Sequence, residues 1–193
     1  MSLLRRRSMY DAGELPTGYR LCNYLESTGK QTINTGLTPV YGDEINVIAY
    51  RTSNANSMLY ASGTVTITSS TGKFYCRYFT STKNSAIEVS QGNFPADAQY
   101  HHIMISQDGF YADGNFVKEL PGERAEAGTM IIFRGTNALG KLRIKRFYIT
   151  RDGAYTMNLI SALDRNGTPC MYDTVSKNTF YNERTGDFLY ELA

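Results

Sequence analysis

The stretch Tyr100-His101-His102-Ile103-Met104-Ile105, followed by Asp108-Gly109, Tyr111 and Asp113-Gly114, decides the fold of this chain. His101, Ile103 and Ile105 alternate with the intervening residues, which is the period of a half-buried strand. Each Asp-Gly pair supplies the positive-φ residue that a tight turn requires. The stretch therefore predicts two short strands that are joined by one turn and closed by a second.

The chain on either side of this hairpin carries further strand patterns, separated by Gly and Asn turns. The predicted strands are Gln31–Leu37, Glu44–Tyr50, Met58–Ala61, Thr64–Ser69, Lys73–Thr80, Ala86–Val89, Thr129–Phe133 and Lys141–Thr150. This regular spacing favours an antiparallel β-sandwich over βαβ units. A chain of 193 residues suits a single sandwich domain, which we assign to residues 19–193.

The strand over Lys141–Thr150 contains a change of phase. Leu142 and Ile144 fall on one side, whereas Phe147 and Ile149 fall out of step with them by one residue. A strand keeps its core face through such a change only if it contains a bulge, so we predict a bulge near Lys145-Arg146. The alternative is that both faces of this strand are buried.

Two further segments enclose the predicted sandwich: Tyr24–Gly36 reads YLESTGKQTINTG, and Asp173–Asn182 reads DTVSKNTFYN. Together with the central hairpin they resemble laminin-G-like, concanavalin-type domains encoded by bacteriophages and prophages of gut bacteria. The resemblance covers roughly residues 19–190. It implies an all-β jelly-roll and a virion component, such as a capsid-decoration protein, a fibre or a tail-associated adhesin.

Residues 1–18 are predicted to form an N-terminal arm outside the core. The arm has an apolar start, a basic centre and an apolar end, followed by Gly13 and Pro16, which interrupt any regular element. One interpretation is a disordered tail. The other is an arm that orders on a partner, with these candidate docking residues: Leu3, Leu4, Arg5, Arg6, Arg7, Met9 and Tyr10.

Charge and cysteine content narrow the class of protein. The net charge is +2, and residues 1–20 hold four of the 20 basic and two of the 18 acidic residues, so the rest of the chain is neutral. A neutral body argues against nucleic-acid binding, which needs a basic patch. The three cysteines lack CxxC spacing and are expected to be reduced or buried. We find no signal-peptide pattern and no apolar run of membrane-spanning length, so we expect synthesis in a cytoplasm and no membrane insertion.

The sequence offers little material for catalysis. A glycoside hydrolase needs two carboxylates that flank the scissile bond, and no such pair lies within a predicted strand. Glu123 and Glu126 fall in a Gly-flanked loop, and Asp43-Glu44 begins a strand where we expect both side chains to be exposed. His101 and His102 are neighbours in a strand and therefore face opposite ways, so they cannot form one centre. We predict one histidine in the core and one at the surface, and no enzymatic activity.

Binding residues are harder to assign from the sequence. Calcium ligation by Asp97, Asp108, Asp113 or Asp152 is possible in a laminin-G-like domain, but no motif supports it, and Asp in turns usually stabilises the turn itself. No cofactor is expected. Sugar binding without Trp would depend on tyrosine rings, and the candidates are Tyr50, Tyr60, Tyr75, Tyr78 and Tyr111. No loop contains a cluster of them.

These observations lead to one expected function and one alternative. The first is a non-enzymatic bacteriophage virion structural protein, made in the host cytoplasm, that docks on capsid or tail proteins through its arm. Such proteins commonly assemble symmetrically, so a homo-oligomer is possible. The alternative is a carbohydrate-binding module or adhesin that recognises a host-surface glycan.

Overall fold

The structure, a computed structural model, describes residues 15–52, 58–70, 73–80, 86–133 and 141–193. Within these ranges the chain forms β-strands and turns, with a 3-10 turn at Gln91–Asn93 and no α-helix. The strands are β1 (Arg20–Thr28), β2 (Ile33–Asn34), β3 (Glu44–Arg51), β4 (Met58–Ala61), β5 (Thr66–Ser70), β6 (Lys73–Arg77), β7 (Ile87–Ser90), β8 (His101–Ser106), β9 (Gly109–Ala112), β10 (Asn115–Lys118), β11 (Ile131–Ile132), β12 (Lys141–Arg151), β13 (Ala154–Leu163), β14 (Pro169–Asp173), β15 (Thr179–Phe180) and β16 (Leu189–Leu192).

Two antiparallel sheets pack as a β-sandwich of the jelly-roll type. The described part of the larger sheet has ten strands in the order β10-β9-β8-β3-β12-β1-β13-β14-β15, and β16 pairs with β1. The smaller sheet has six strands in the order β2-β11-β4-β5-β6-β7. The predicted fold class, an all-β antiparallel sandwich, is confirmed.

The core lies between the inner faces of the two sheets. The larger sheet contributes aliphatic residues and phenylalanines, among them Leu25, Val47, Ile103, Phe147 and Leu159. The smaller sheet contributes Tyr60, Ile67, Phe74, Cys76 and Ile132. Fully burying one such large side chain stabilises the fold by about 1.5–3 kcal/mol, so this layer is the main source of stability.

The central hairpin forms as the sequence predicts. β8 pairs with β9 through Ile103–Ala112 and Ile105–Phe110, and Gly109 takes a positive φ of 143°. A Cβ at Gly109 would lie 2.5 Å from the carbonyl oxygen of Lys118, so no other residue fits without displacing the neighbouring strand.

The predicted bulge in β12 is confirmed. Ile144 pairs with Ala49 and Arg146 pairs with Ile48, so Lys145 is the extra residue. Leu142 and Ile144 before the bulge and Phe147 and Ile149 after it are all fully buried. The bulge therefore keeps one face of β12 in the core along its whole length.

Several strands differ from their predicted bounds. The segment predicted as Gln31–Leu37 contains only the two-residue strand β2, because the regular ladder is interrupted at Gly36, which takes a positive φ of 68°. The amide of Thr35 donates to the Met130 carbonyl, and the amide of Met130 donates to the Leu37 carbonyl. Ala154–Leu163 was not predicted as a strand. Its alternation is obscured because Ile160 and Ala162 on its outer side are buried as well as Leu159 on its inner side.

A small second cluster explains the burial on the outer side of β13. Ile160, Ala162, Cys170 and Tyr172 form it on the outer face of the larger sheet. Leu15, Tyr19 and Leu21 pack against it. We call residues 15–19 the arm root: residues 15–18 are the end of the predicted arm, and Leu15 and Tyr19 pack on this cluster.

Candidate functional site

The outer face of the larger sheet carries polar and aromatic side chains in register across neighbouring strands. One row runs from Met104 on β8 through Asn46 and Tyr148 to Asn158 on β13. The next runs from His102 through Ile48 and Arg146 to Ile160. Because cross-strand partners share a face, these residues form a continuous surface.

We call this surface the tyrosine–arginine face. Its members come from β1, β3, β8, β12 and β13 and from the residues next to these strands: Tyr24, Tyr50, Tyr100, His102, Arg143, Lys145, Arg146, Tyr148, Tyr155 and Asn158.

Arg143 organises one half of the face. Its guanidinium lies 4.4 Å from the ring centre of Tyr24 and 4.9 Å from that of Tyr50. Its Nε donates a hydrogen bond of 2.7 Å to Glu26 Oε2, so the charge of Arg143 is neutralised. Lys145 places its Nζ 4.5 Å from the ring centre of Tyr100. Such cation–π contacts hold the cations against the rings.

Arg146 organises the other half. Its Nε donates a 2.6 Å hydrogen bond to Asn158 Oδ1, and its guanidinium lies 4.7 Å from the ring centre of Tyr148 and 5.2 Å from that of Tyr155. The two tyrosine rings meet edge to face at 5.6 Å. Asn158 is held in turn, because its Nδ2 donates to Thr174 Oγ1 at 2.6 Å.

His102 lies beside Arg146 on this face. Its Nε2 is 2.9 Å from Asn46 Oδ1 and 3.0 Å from the Tyr148 hydroxyl. Burial of the ring lowers the pKa of His102 below its usual 6.5, and the nearby Arg146 lowers it further, although Asp113 acts in the opposite direction. His102 is therefore neutral at pH 7, and the charge of this half of the face comes from Arg146.

His101 has a different environment on the inner face. Its Nδ1 lies 2.7 Å from Asp113 Oδ2 and its Nε2 lies 3.1 Å from Asp97 Oδ1. Burial opposes protonation, but the hydrogen bonds to Asp113 and Asp97 outweigh it and raise the pKa of His101 above 6.5. The prediction of one core histidine and one surface histidine is confirmed, since His101 is buried and His102 is half-buried on the outer face.

The tyrosines proposed from sequence as sugar-binding residues divide into three groups. Tyr60 and Tyr78 are fully buried, so those two candidates were wrong: their rings fill the core. Tyr75 lies on the outer face of the smaller sheet, opposite Thr68 and Glu88. The remaining two, Tyr50 and Tyr111, lie on the outer face of the larger sheet, where Tyr50 belongs to the tyrosine–arginine face.

The carboxylates considered in the sequence analysis are exposed, with one exception that is buried. Glu123, Glu126 and Glu44 are exposed, as expected. Asp43 was expected to be exposed and is instead fully buried. Its two oxygens accept hydrogen bonds of 2.7 and 3.1 Å from Arg151, and Oδ2 also accepts one from the Val40 amide. The pairing with Arg151 explains the burial, and the sequence separation of 108 residues hid it.

The aspartates considered for calcium lie apart. Asp97 and Asp113 flank His101 on opposite sides of its ring. Asp108 accompanies the turn between β8 and β9, and Asp152 sits at positive φ, 50°, between β12 and β13. Among the residues that the structure describes, no three His, Cys, Asp or Glu side chains are grouped so that they could hold a metal ion.

All three cysteines are free and buried. The candidate docking residues of the arm lie outside the described residues: Leu3, Leu4, Arg5, Arg6, Arg7, Met9 and Tyr10. In the described ranges, no helix has the length and apolar character that crossing a bilayer requires.

The tyrosine–arginine face could not be found from sequence spacing, because its residues come from strands far apart in the chain. Tyr24 and Tyr155 are separated by most of the sandwich, and no local window contains more than a few members. The one local signal was Arg143-Ile144-Lys145-Arg146-Phe147-Tyr148, whose bulge turns Arg143, Arg146 and Tyr148 to the same face.

Comparison with known proteins adds no family assignment: no protein-family model matches this chain, and no curated protein is detectably similar to it.

Proposed function

We propose that this chain is a non-enzymatic bacteriophage virion protein that docks through its N-terminal arm and displays the jelly-roll domain. The observation that carries the proposal is the resemblance of Tyr24–Gly36 and Asp173–Asn182 to the laminin-G-like domains of phages and prophages. The antiparallel sandwich between these segments agrees with that resemblance.

The arm root supports a docking role for the arm. Tyr19 packs against Tyr172 with ring centres 5.7 Å apart, and its hydroxyl lies 3.0 Å from Thr179 Oγ1. Leu15 packs on the same cluster. The chain before Leu15 is therefore tethered to a fixed point, and the eight steps from Leu15 back to Arg7 would span about 26 Å if extended.

The first test is quantitative mass spectrometry of gradient-purified particles from the phage or prophage that encodes the chain. Hundreds of copies per particle support a capsid-decorating protein, and a few to a few dozen support a tail or fibre protein. Particles that lack the chain overturn the virion proposal.

The second test is a deletion of residues 1–14, which leaves the arm root intact. We expect the truncated chain to lose binding to particles and to keep its melting temperature. A longer deletion through Tyr19 is the matched control and should lower the melting temperature, since it exposes the Ile160 cluster. Particle binding by the chain without residues 1–14 would contradict docking through the arm.

A second candidate function is glycan recognition, and the tyrosine–arginine face is the observation that favours it. Sugar sites combine aromatic rings with a few fixed polar groups, and this face has both on rigid strands. Binding of the full chain to a glycan array, weakened by Tyr155→Ala and unchanged by Tyr75→Ala, would support it. Equal binding by the two variants would move the site away from this face.

A further inference from the structure

Arg146 differs from the other arginine of the tyrosine–arginine face in its charge balance. Arg143 is paired with Glu26 at 2.7 Å. Arg146 forms no ion pair within the described ranges, and its only hydrogen bond there is from Nε to Asn158. The two terminal nitrogens of Arg146 thus keep their hydrogen-bonding capacity on a partly exposed surface.

The position of Arg146 is fixed from several sides. Asn158 is 4% exposed, and its backbone N–H donates to Asp173 Oδ1 at 2.8 Å. Its side chain bridges Arg146 Nε and Thr174 Oγ1 at 2.6 Å each. A guanidinium held in this way loses little conformational entropy when it binds an anion, so it is preorganised.

Aromatic surface adjoins the fixed cation. Tyr148 and Tyr155 flank the guanidinium, and Tyr155 is 47% exposed. Tyrosine offers an apolar face with a hydroxyl at its edge, which suits the mixed surface of a sugar ring. The half of the face around Arg146 therefore combines an unpaired charge with a platform for a ring.

We propose that this half of the face, formed by Arg146, Tyr148, Tyr155 and Asn158, binds a glycan that bears a carboxylate. The terminal nitrogens of Arg146 donate to the carboxylate in the planar, two-bond geometry typical of this pair, and the sugar ring lies on Tyr155. This inference rests on the proposed glycan-binding function and adds the class of sugar: a hexuronate or a sialate.

The charge distribution favours an acidic sugar over a nucleic acid. A nucleic-acid surface needs several unpaired cations to release counterions. Here Arg143 is neutralised by Glu26, Lys145 lies against the ring of Tyr100, and outside residues 1–20 the basic and acidic residues are equal in number. One fixed guanidinium suits a single carboxylate on an otherwise neutral ligand.

The test compares acidic glycans with the same glycans after methyl esterification, which keeps the rings and removes the charge. The full chain is applied to a panel of hexuronate and sialate glycans in both forms, and affinities are then measured by calorimetry. We expect acidic forms to bind about tenfold or more tightly than their esters, since a hydrogen-bonded charge is lost on esterification.

Three variants test whether Arg146 is the residue that binds the carboxylate. Arg146→Gln should remove the preference for the acidic form, and Asn158→Ala should weaken it because it frees the guanidinium to move. Lys73→Ala removes an exposed cation on the outer face of the smaller sheet and is the matched control. Melting temperatures of all three variants show whether a loss of binding reflects a loss of fold.

Each outcome decides a separate question. Equal binding of acidic and esterified glycans, unchanged by Arg146→Gln, overturns the role of Arg146 while the glycan-binding function stands. No binding to any glycan of the panel overturns the inference, and no binding to the glycan array as well overturns the glycan-binding function. A preference for the acid that survives in Arg146→Gln and is lost in Lys73→Ala places the site on the other sheet and also overturns the inference.

Discussion

The inner and outer faces of the larger sheet differ in chemistry although the same strands form both. Aliphatic side chains and Phe147 line the inner face, and tyrosine, arginine and asparagine line the outer one. The histidines show the difference most directly. His101 on the inner face lies between Asp97 and Asp113 and has a raised pKa, whereas His102 on the outer face lies beside Arg146 and has a lowered pKa.

The pKa of a residue in a sheet therefore depends on the groups that lie on its own face, since sequence neighbours point to opposite sides. The difference between the two faces can be tested on β12, where a bulge at Lys145 keeps the apolar side chains on the inner face.

Deletion of Lys145 should have the largest effect. Without the bulge, either Leu142 and Ile144 or Phe147 and Ile149 must turn to the outer face. We expect a loss of about 4 kcal/mol or more in the free energy of unfolding, from two large side chains that leave the core. Urea denaturation measures it, with Lys145→Ala as the control that keeps the bulge. Near-equal stability of the deletion and the control would show that β12 does not need the bulge.

Substitutions of two adjacent residues of β12, one on each face, should have the next largest effects on stability. Phe147→Ala creates a cavity in the core and should cost about 3–5 kcal/mol. Tyr148→Ala removes a half-buried ring and its contact with His102, and should cost about 1 kcal/mol. Thermal or urea unfolding of both variants checks the ratio. Similar losses at the two positions would mean that the outer face contributes as much packing as the core.

Arg51 is an exception on the inner face, because it is a buried cation. It is 1% exposed, its Nη1 donates to the Phe94 carbonyl at 2.8 Å, and its Nε and Nη2 have no partner among the described residues. Burial without these partners leaves the charge poorly solvated and lowers the pKa of Arg51. We expect Arg51→Met to raise the free energy of unfolding by about 1 kcal/mol, since it replaces that charge with an apolar chain of similar length. A loss of stability would indicate that the ring contacts with Phe74 and Phe94 outweigh the cost of burial.

The pH dependence of stability should show the smallest effect, with opposite signs for the two histidines. The folded state raises the pKa of His101, so the stability that His101 adds is present below pH 6.5 and is lost as the pH rises through its folded pKa. The folded state lowers the pKa of His102, so the stability that His102 adds is present above pH 6.5 and is lost as the pH falls through its folded pKa.

Urea midpoints measured from pH 5 to 8 separate the two contributions. Relative to the unmodified chain, His101→Gln should make the slope of stability against pH more positive, and His102→Gln should make it more negative. Slopes that change in the same direction in both variants would contradict opposite pKa shifts of the two histidines.

The sequence predicted what depends on local patterns. The central hairpin, the strand from Glu44 and the bulge at Lys145 follow from side-chain alternation and turn residues, and all three are present. β13 was missed because the arm root covers its outer side and hides the alternation.

The candidate site and the other long-range polar contacts were mostly missed for a different reason. Asp43 pairs with Arg151 across 108 residues, and Tyr50 meets Arg143 from a strand far away in the chain. Contacts of this kind arise from strand order, and strand order is a property of the whole sheet that no local window contains. Of the five tyrosine candidates, Tyr60 and Tyr78 fell in the core, because alternation alone does not tell which side of a strand faces inward.

The position of the arm root has a consequence for how the two proposed functions coexist. Leu15 and Tyr19 rest on Ile160 and Tyr172, and Ile160 is the cross-strand neighbour of Arg146. Leu15, the first residue that the structure describes, thus lies beside the surface proposed to bind a glycan. A particle that binds the arm close to residue 15 would occlude that surface. A particle that binds only Arg5, Arg6 and Arg7 would leave the surface accessible to a host glycan. The length of arm left free between particle and domain would then set whether a docked copy is a shell component alone or also a receptor-binding one.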